Sequence, residues 1–136
     1  MPDRPAPLSL GDKARLAGRV LRTYVVVRVN LHRQPLPRLV ARLGESPGPT
    51  GRRYAPALLS RAVHRVLRTS LTEQTCLVRA LILYRLLKEQ GDAPELVIGL
   101  PPRPTDHRAH AWVELDGVDL GPPPGRGLYE PFARYS

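Results

Sequence analysis

The sequence is short of several things. It has one cysteine, Cys76, in 136 residues. A lone thiol excludes an internal disulfide framework and fits a reducing compartment, so a cytoplasmic location is expected. Aromatic residues make up only 5% of the chain, with one Trp and one Phe. That leaves few rings for base stacking, and no nucleic-acid recognition motif is present. Long apolar runs are missing too. The windows "YVVVRVNL" and "LVRALILYRLL" are short and interrupted by Arg, so no transmembrane helix is expected. The N-terminus, "MPDRPAPLSLGDKARL", lacks the apolar segment and small-residue cleavage site of a signal peptide. No Cys/His spacing suits a metal, and neither a metal nor another cofactor is expected.

Lysine is scarce: two of the 21 basic residues, the rest being Arg. The net charge of +9 is unevenly placed. Residues 1–70 carry 14 Lys and Arg against 3 Asp and Glu, and residues 71–136 carry 7 against 9. Such asymmetry suits an acidic partner, and an Arg bias of this kind also follows from G+C-rich coding. The length suits one domain over 1–136, with a basic helical part at 1–70 and a near-neutral core at 71–136.

Four helices are expected. Leu16, Val20, Tyr24, Val27 and Leu31 recur at spacings of four and three, a helical period that outweighs the β-branched run Val25-Val26-Val27. "QPLPRLVARLG" (34–44) places Pro in a first turn and Gly44 at a stop. Residues 44–53 form a loop by composition, and 56–69 a third amphipathic helix. The fourth starts at 70–72, where Ser70 and Glu73 match a capping box or Thr72 caps instead. It is apolar on almost every face from Leu77 to Leu87 and stops at Gly91, the pattern of a buried central helix.

The texture then changes to strands. "ELVIGL" (95–100) is one. "RAHAWVEL" (108–115) alternates, with Ala109, Ala111, Val113 and Leu115 on one face and His110, Trp112 and Glu114 on the other. Asp116-Gly117 signals a hairpin to "VDLG", which "PPPGRG" stops. Helices followed by an antiparallel sheet make an α+β fold, with the central helix packed on the sheet.

Cys76 falls at the start of that central helix. There the first-turn amides and the helix dipole favour an anion, so the thiol should ionise readily and act as a nucleophile. The same amides suit the oxyanion of an acyl-transfer intermediate. The bland alternative is an inert core thiol. His110, on the adjoining strand, is the candidate base; His107 competes from the preceding loop. His32 and His64 read as surface or interface residues. A carboxylate should orient the imidazole, and the candidates are Asp119, Glu114, Asp106 and Glu130. With a two-residue turn, Glu114 pairs with Asp119. Each is then about four residues along from His110, roughly 13 Å at 3.3 Å per residue. A bulge could bring Asp119 closer, whereas a one-residue slip would turn it to the other face.

"CLVRALILYRLLKEQGDAPELVIGL" followed by "AHAWVELDG" resembles the lasso-peptide leader peptidases, microcin-processing proteases of the transglutaminase-like cysteine protease superfamily. The likeness covers 76–121, and "TYVVVRVNLHRQPLPRLVARLG" resembles their helical N-terminal part. It implies a nucleophile-bearing helix on an antiparallel sheet that carries the His and an Asp, so that Cys76 and His110 match the catalytic pair, and either Asp119 takes the third place through a different hairpin register or the triad is incomplete. It implies thiol-dependent removal of a leader peptide from a ribosomally made precursor, without a cofactor. It also implies two partners, a separate leader-recognition protein and an ATP-dependent cyclase. Members of that family commonly carry Asp or Glu about twelve residues after the His. Here that position is Pro122, which cannot orient an imidazole. A non-catalytic domain that binds a peptide or a biosynthetic partner is the alternative.

Overall fold

The computed structural model describes residues 9–45, 54–67, 75–101, 109–121, 125, 127 and 129–136. Four helices come first: α1 (Leu10–Leu31), α2 (Leu36–Gly44), α3 (Pro56–Leu67) and α4 (Thr75–Glu89). Four strands follow: β1 (Glu95–Leu100), β2 (His110–Leu115), β3 (Val118–Gly121) and β4 (Glu130–Tyr135). They form one antiparallel sheet in the order β3-β2-β1-β4. The fold is α+β, as the sequence pattern implies. No described helix is long and apolar enough to cross a membrane.

Helix α1 opens on a capping box. The Ser9 hydroxyl accepts from the Asp12 amide at 3.1 Å, and the Asp12 carboxylate accepts from the Ser9 amide at 3.2 Å. Leu16, Val20 and Val27 are buried along one stripe, with Tyr24 and Leu31 packed against the same core. Val25 and Val26 point to solvent, so the 3.6 period does prevail over the β-branched run. Helix α4 is the axle of the molecule. Residues 80–84 and Leu86 and Leu87 are at most 1% exposed, and the helix packs on α1, α2, α3 and β2. A Schellman motif closes it: the Gly91 amide donates to the Lys88 carbonyl and the Asp92 amide to the Leu87 carbonyl. Gly91 supplies the left-handed φ of 94° that the motif needs. The expected capping box at Ser70 and Glu73, and Thr72, lie outside the described residues.

Two features of the sheet differ from expectation. The first is β4, which pairs with β1 along the edge opposite β3. "EPFARY" carries a proline and two charges and is largely exposed, so it lacks the alternation of a half-buried strand. An edge position tolerates this: the register skips Phe132, between Ala133 and Pro131, and Pro is accepted at edges and bulges. The second is β2, buried at all six positions. Ala111, Val113 and Leu115 join the core shared with the helices. The opposite face, with His110, Trp112 and Glu114, is covered by the chain at Gly125 and Tyr129 and by Arg134 of β4.

The hairpin forms as its residues dictate. Asp116 and Gly117 both have positive φ, 51° and 79°, the two-residue turn that matches strand twist. Leu115 pairs with Val118 and Glu114 with Asp119. The ladder then slips one residue, so that Val113 pairs with Gly121 and Leu120 bulges. The Leu120 carbonyl takes a hydrogen bond from the Ser60 hydroxyl, which ties the bulge to α3.

Candidate active site

Cys76 is the second residue of α4, half-buried, at the point where the helix start meets the beginning of β2. An α-helix has no acceptors of its own for its first amides, which leaves positive charge to face an anion there. Burial pushes the Cys76 thiol up. The hydrogen bond with the His110 side chain, a backbone hydrogen bond from Ala111, the charge of His110 and a backbone hydrogen bond from Leu77 together outweigh it, and the thiol ends below its ordinary value. Cys76 and His110 are therefore brought together, from 34 residues apart in sequence.

His110 is held by packing on several sides. Tyr129 lies with its ring centroid 4.8 Å away, and Trp112 stacks at 5.7 Å with planes 24° apart. Gly125 lies against it so closely that a Cβ there would sit 2.7 Å from His110 Cδ2 and 2.3 Å from Trp112 Cε3. A Cβ at Gly99 would sit 2.8 Å from Trp112 Cη2 and Cζ3. Trp112 is thus in close contact with both glycines, and the imidazole stacks beside it. These two glycines are required by close approach.

The carboxylates are placed as follows. Asp119 sits opposite Glu114, the register expected from the turn. Its Oδ1 accepts from the Gly121 amide at 2.8 Å and its Oδ2 from the Gly125 amide at 2.7 Å. The bulge falls one residue beyond Asp119, and its carboxylate reaches the His110 environment by anchoring the Gly125 backbone that covers the ring. Glu114 is committed elsewhere: Trp112 Nε1 donates to it at 2.8 Å, and Arg134 pairs with it at 3.2 Å. Glu130 is exposed at the start of β4. His107, Asp106 and Pro122 lie outside the described residues. His32 and His64 are exposed. Among the described residues no three His, Cys, Asp or Glu side chains gather as metal ligands.

Gly99, Gly125 and Tyr129 were not identifiable as parts of the site from sequence reasoning. A glycine inside "ELVIGL" was a usable signal, since a strand glycine often marks close approach of another group. Tyr129 carried no such signal, because it follows the proline- and glycine-rich sequence "GPPPGRG".

One arrangement emerges: a thiol at a helix start, hydrogen-bonded to a histidine on the neighbouring strand of an antiparallel sheet. A family model described as the transglutaminase-like superfamily matches residues 20–134. The chain belongs to that superfamily, which includes cysteine peptidases and transferases. The match starts within α1, so it takes in α2 and α3 as well as the stretch from Cys76 onward. No curated protein and no solved structure matches the chain.

Proposed function

We propose that the protein is a cysteine peptidase that removes the leader from a ribosomally made precursor of the lasso-peptide type. The observation that carries the reading is the hydrogen bond between His110 and a Cys76 thiol whose pKa is lowered at the start of α4. The finer assignment to leader removal rests on the resemblance of the Cys76 and His110 motifs to the leader peptidases.

The chemistry follows from the atoms in place. Transfer of the thiol proton to His110 leaves a thiolate and an imidazolium. The sulfur attacks the scissile carbonyl, a C–S bond forms, and the carbonyl electron pair moves onto oxygen. The first-turn amides of α4 are suited to holding that oxyanion. Collapse expels the amine as His110 protonates it, leaving a thioester. Water, deprotonated by His110, then attacks the thioester, and the C–S bond breaks to release the acid and the thiol. Asp119 is assigned as a positioning residue that fixes the cover over His110 through Gly125. The substrate is a precursor leader, presented by a separate leader-recognition protein, with an ATP-dependent cyclase acting on the product.

A second reading is a non-catalytic domain that binds a peptide or a biosynthetic partner. What favours it is Pro122 at the position where the related peptidases carry a carboxylate, together with an Asp119 engaged by two backbone amides. One pair of experiments separates the readings. Alkylation of Cys76 against pH should titrate below the ordinary thiol value in wild type and higher in His110→Ala, where burial remains and the partner is gone. A lasso-type precursor incubated with the recognition protein should lose its leader with wild type and keep it with Cys76→Ala. Equal titration in both proteins, with the precursor intact, transfers the assignment to the binding domain.

A further inference from the structure

We propose that the cleft between α1 and α3 is an exosite for an acidic segment of the substrate peptide that carries one apolar anchor side chain. The proposal deepens the peptidase reading and rests on it for the identity of the peptide. The cleft has a volume of about 380 Å³, within the range of roughly 300–1,000 Å³ usual for ligand clefts. Its floor is apolar and includes Leu16, Ala62 and Val66. Its rim is cationic: Lys13 from α1 faces Arg61 and Arg65 from α3, all three exposed.

The charges carry the choice of occupant. Arg61 and Arg65 are four residues apart on one helix, a spacing at which like charges repel. The ion pairs among the described residues engage Arg19, Arg85 and Arg134, and none engages Lys13, Arg61 or Arg65. Three cations therefore line an apolar floor, and among the described residues none of them has an ion-pair partner. A second copy of this chain would bring three more cations to the same place, so self-association through this cleft is opposed. An acidic segment compensates the rim, and an apolar side chain seated beside Ala62 fills the floor. Arg19, also on α1, is instead tied to Glu89 of α4 at 3.1 Å.

Position makes the substrate itself the occupant. Val66 of the floor is next to Leu67, whose carbonyl takes a hydrogen bond from Arg79 Nη2 at 3.0 Å. Arg79 is three residues beyond Cys76 on α4. The cleft thus extends along α3 as far as the end that adjoins the first turns of α4. A peptide anchored there has its flanking residues within tether distance of the thiol.

Two measurements test this. Fluorescein-labelled acidic 14-residue peptides, of Glu and Asp around one central Leu or Phe, are titrated by anisotropy against Cys76→Ala, in which binding is separated from cleavage. Replacing the acids by Gln and Asn, replacing the anchor by Ser, the double change Arg61→Glu with Arg65→Glu, and Ala62→Phe should each weaken binding by about tenfold or more, and added salt should weaken it further. Since Arg61 and Arg65 are exposed, the double charge reversal leaves the fold intact even where Ala62→Phe does not. The same peptides extended by a flexible tether to a chloroacetamide should then label wild-type Cys76 at least tenfold faster than free chloroacetamide. Cys76 is the only thiol, so labelling is unambiguous. Binding that ignores both the charge reversal and the anchor overturns the proposal, as does displacement by single-stranded DNA that binds with no need of an apolar group. Binding without acceleration at any tether length would make the cleft a partner site and overturn its assignment to substrate. Failure of cleavage with intact binding and tethered labelling would count against the peptidase reading alone.

Discussion

Replacing Gly125 by Ala tests the structure of the site at its tightest point. A Cβ there would approach Trp112 Cε3 to 2.3 Å and His110 Cδ2 to 2.7 Å, against an ordinary contact of 3.4 Å or more. About 1.1 Å of movement is needed at the indole and about 0.7 Å at the imidazole, from those distances. Two routes provide it. The rings can shift, an overpacking strain of about 1–3 kcal/mol. Trp112 resists this, because Gly99 also lies in close contact with its ring. Alternatively the Gly125 backbone can lift, which breaks its charge-assisted hydrogen bond to Asp119 Oδ2, about 1.5–3 kcal/mol. The two costs are comparable, so a loss of about 1–3 kcal/mol is expected by either route, read from urea unfolding. A double-mutant cycle with Asp119→Ala tells them apart. Lifting makes the two changes non-additive, in stability and in any shift of the Cys76 titration. Ring displacement makes them additive and raises the Cys76 midpoint, because His110 moves off the sulfur. A Gly125→Ala protein that unfolds and titrates like wild type would refute the close packing over His110.

Three further outcomes are expected. Glu114→Ala should lose about 1–3 kcal/mol in urea unfolding, because it strands the buried Trp112 Nε1 donor; Glu114→Gln keeps an acceptor and should recover most of that, since Arg134 is about half exposed and solvent weakens its pair. Gly18→Ala should stabilise by about 0.5–1 kcal/mol, because the position is helical and a Cβ there meets nothing within 4 Å; a destabilised variant would contradict the α1 packing. Folding lowers the Cys76 pKa, so the folded state holds that proton less tightly than the unfolded chain does. The thiolate's contribution to stability is then full above the ordinary thiol value and fades as pH falls through the lowered one. Comparing wild type with Cys76→Ala by urea unfolding across that window should show wild type losing the larger share of stability as pH drops.

The helices, the central apolar helix and the hairpin turn were legible in the linear sequence. Each rests on short-range physics: the 3.6 period of Leu16 to Leu31, the all-round apolar stretch from Leu77 to Leu87, the Gly91 stop, the Asp116-Gly117 turn. A turn of two residues also dictates that Asp119 faces Glu114. These properties belong to neighbours in the chain, so the sequence alone determines them. What the rings touch belongs to the tertiary structure. Strand β4 is an exposed edge with a proline, held by backbone pairing to β1, and its side chains do not announce it. The same holds for the burial of His110, Trp112 and Glu114. Alternation predicts one covered face for β2, and the second is covered only because the chain returns at Gly125, Tyr129 and Arg134. Glu114 and Asp119 look alike as candidate orienters on paper. They part in the folded molecule, where Glu114 is taken by Trp112 and Arg134, and Asp119 by the glycine amide that lies against the imidazole. Such choices depend on contacts between distant segments, and it is the three-dimensional packing, with its van der Waals limits, that decides them.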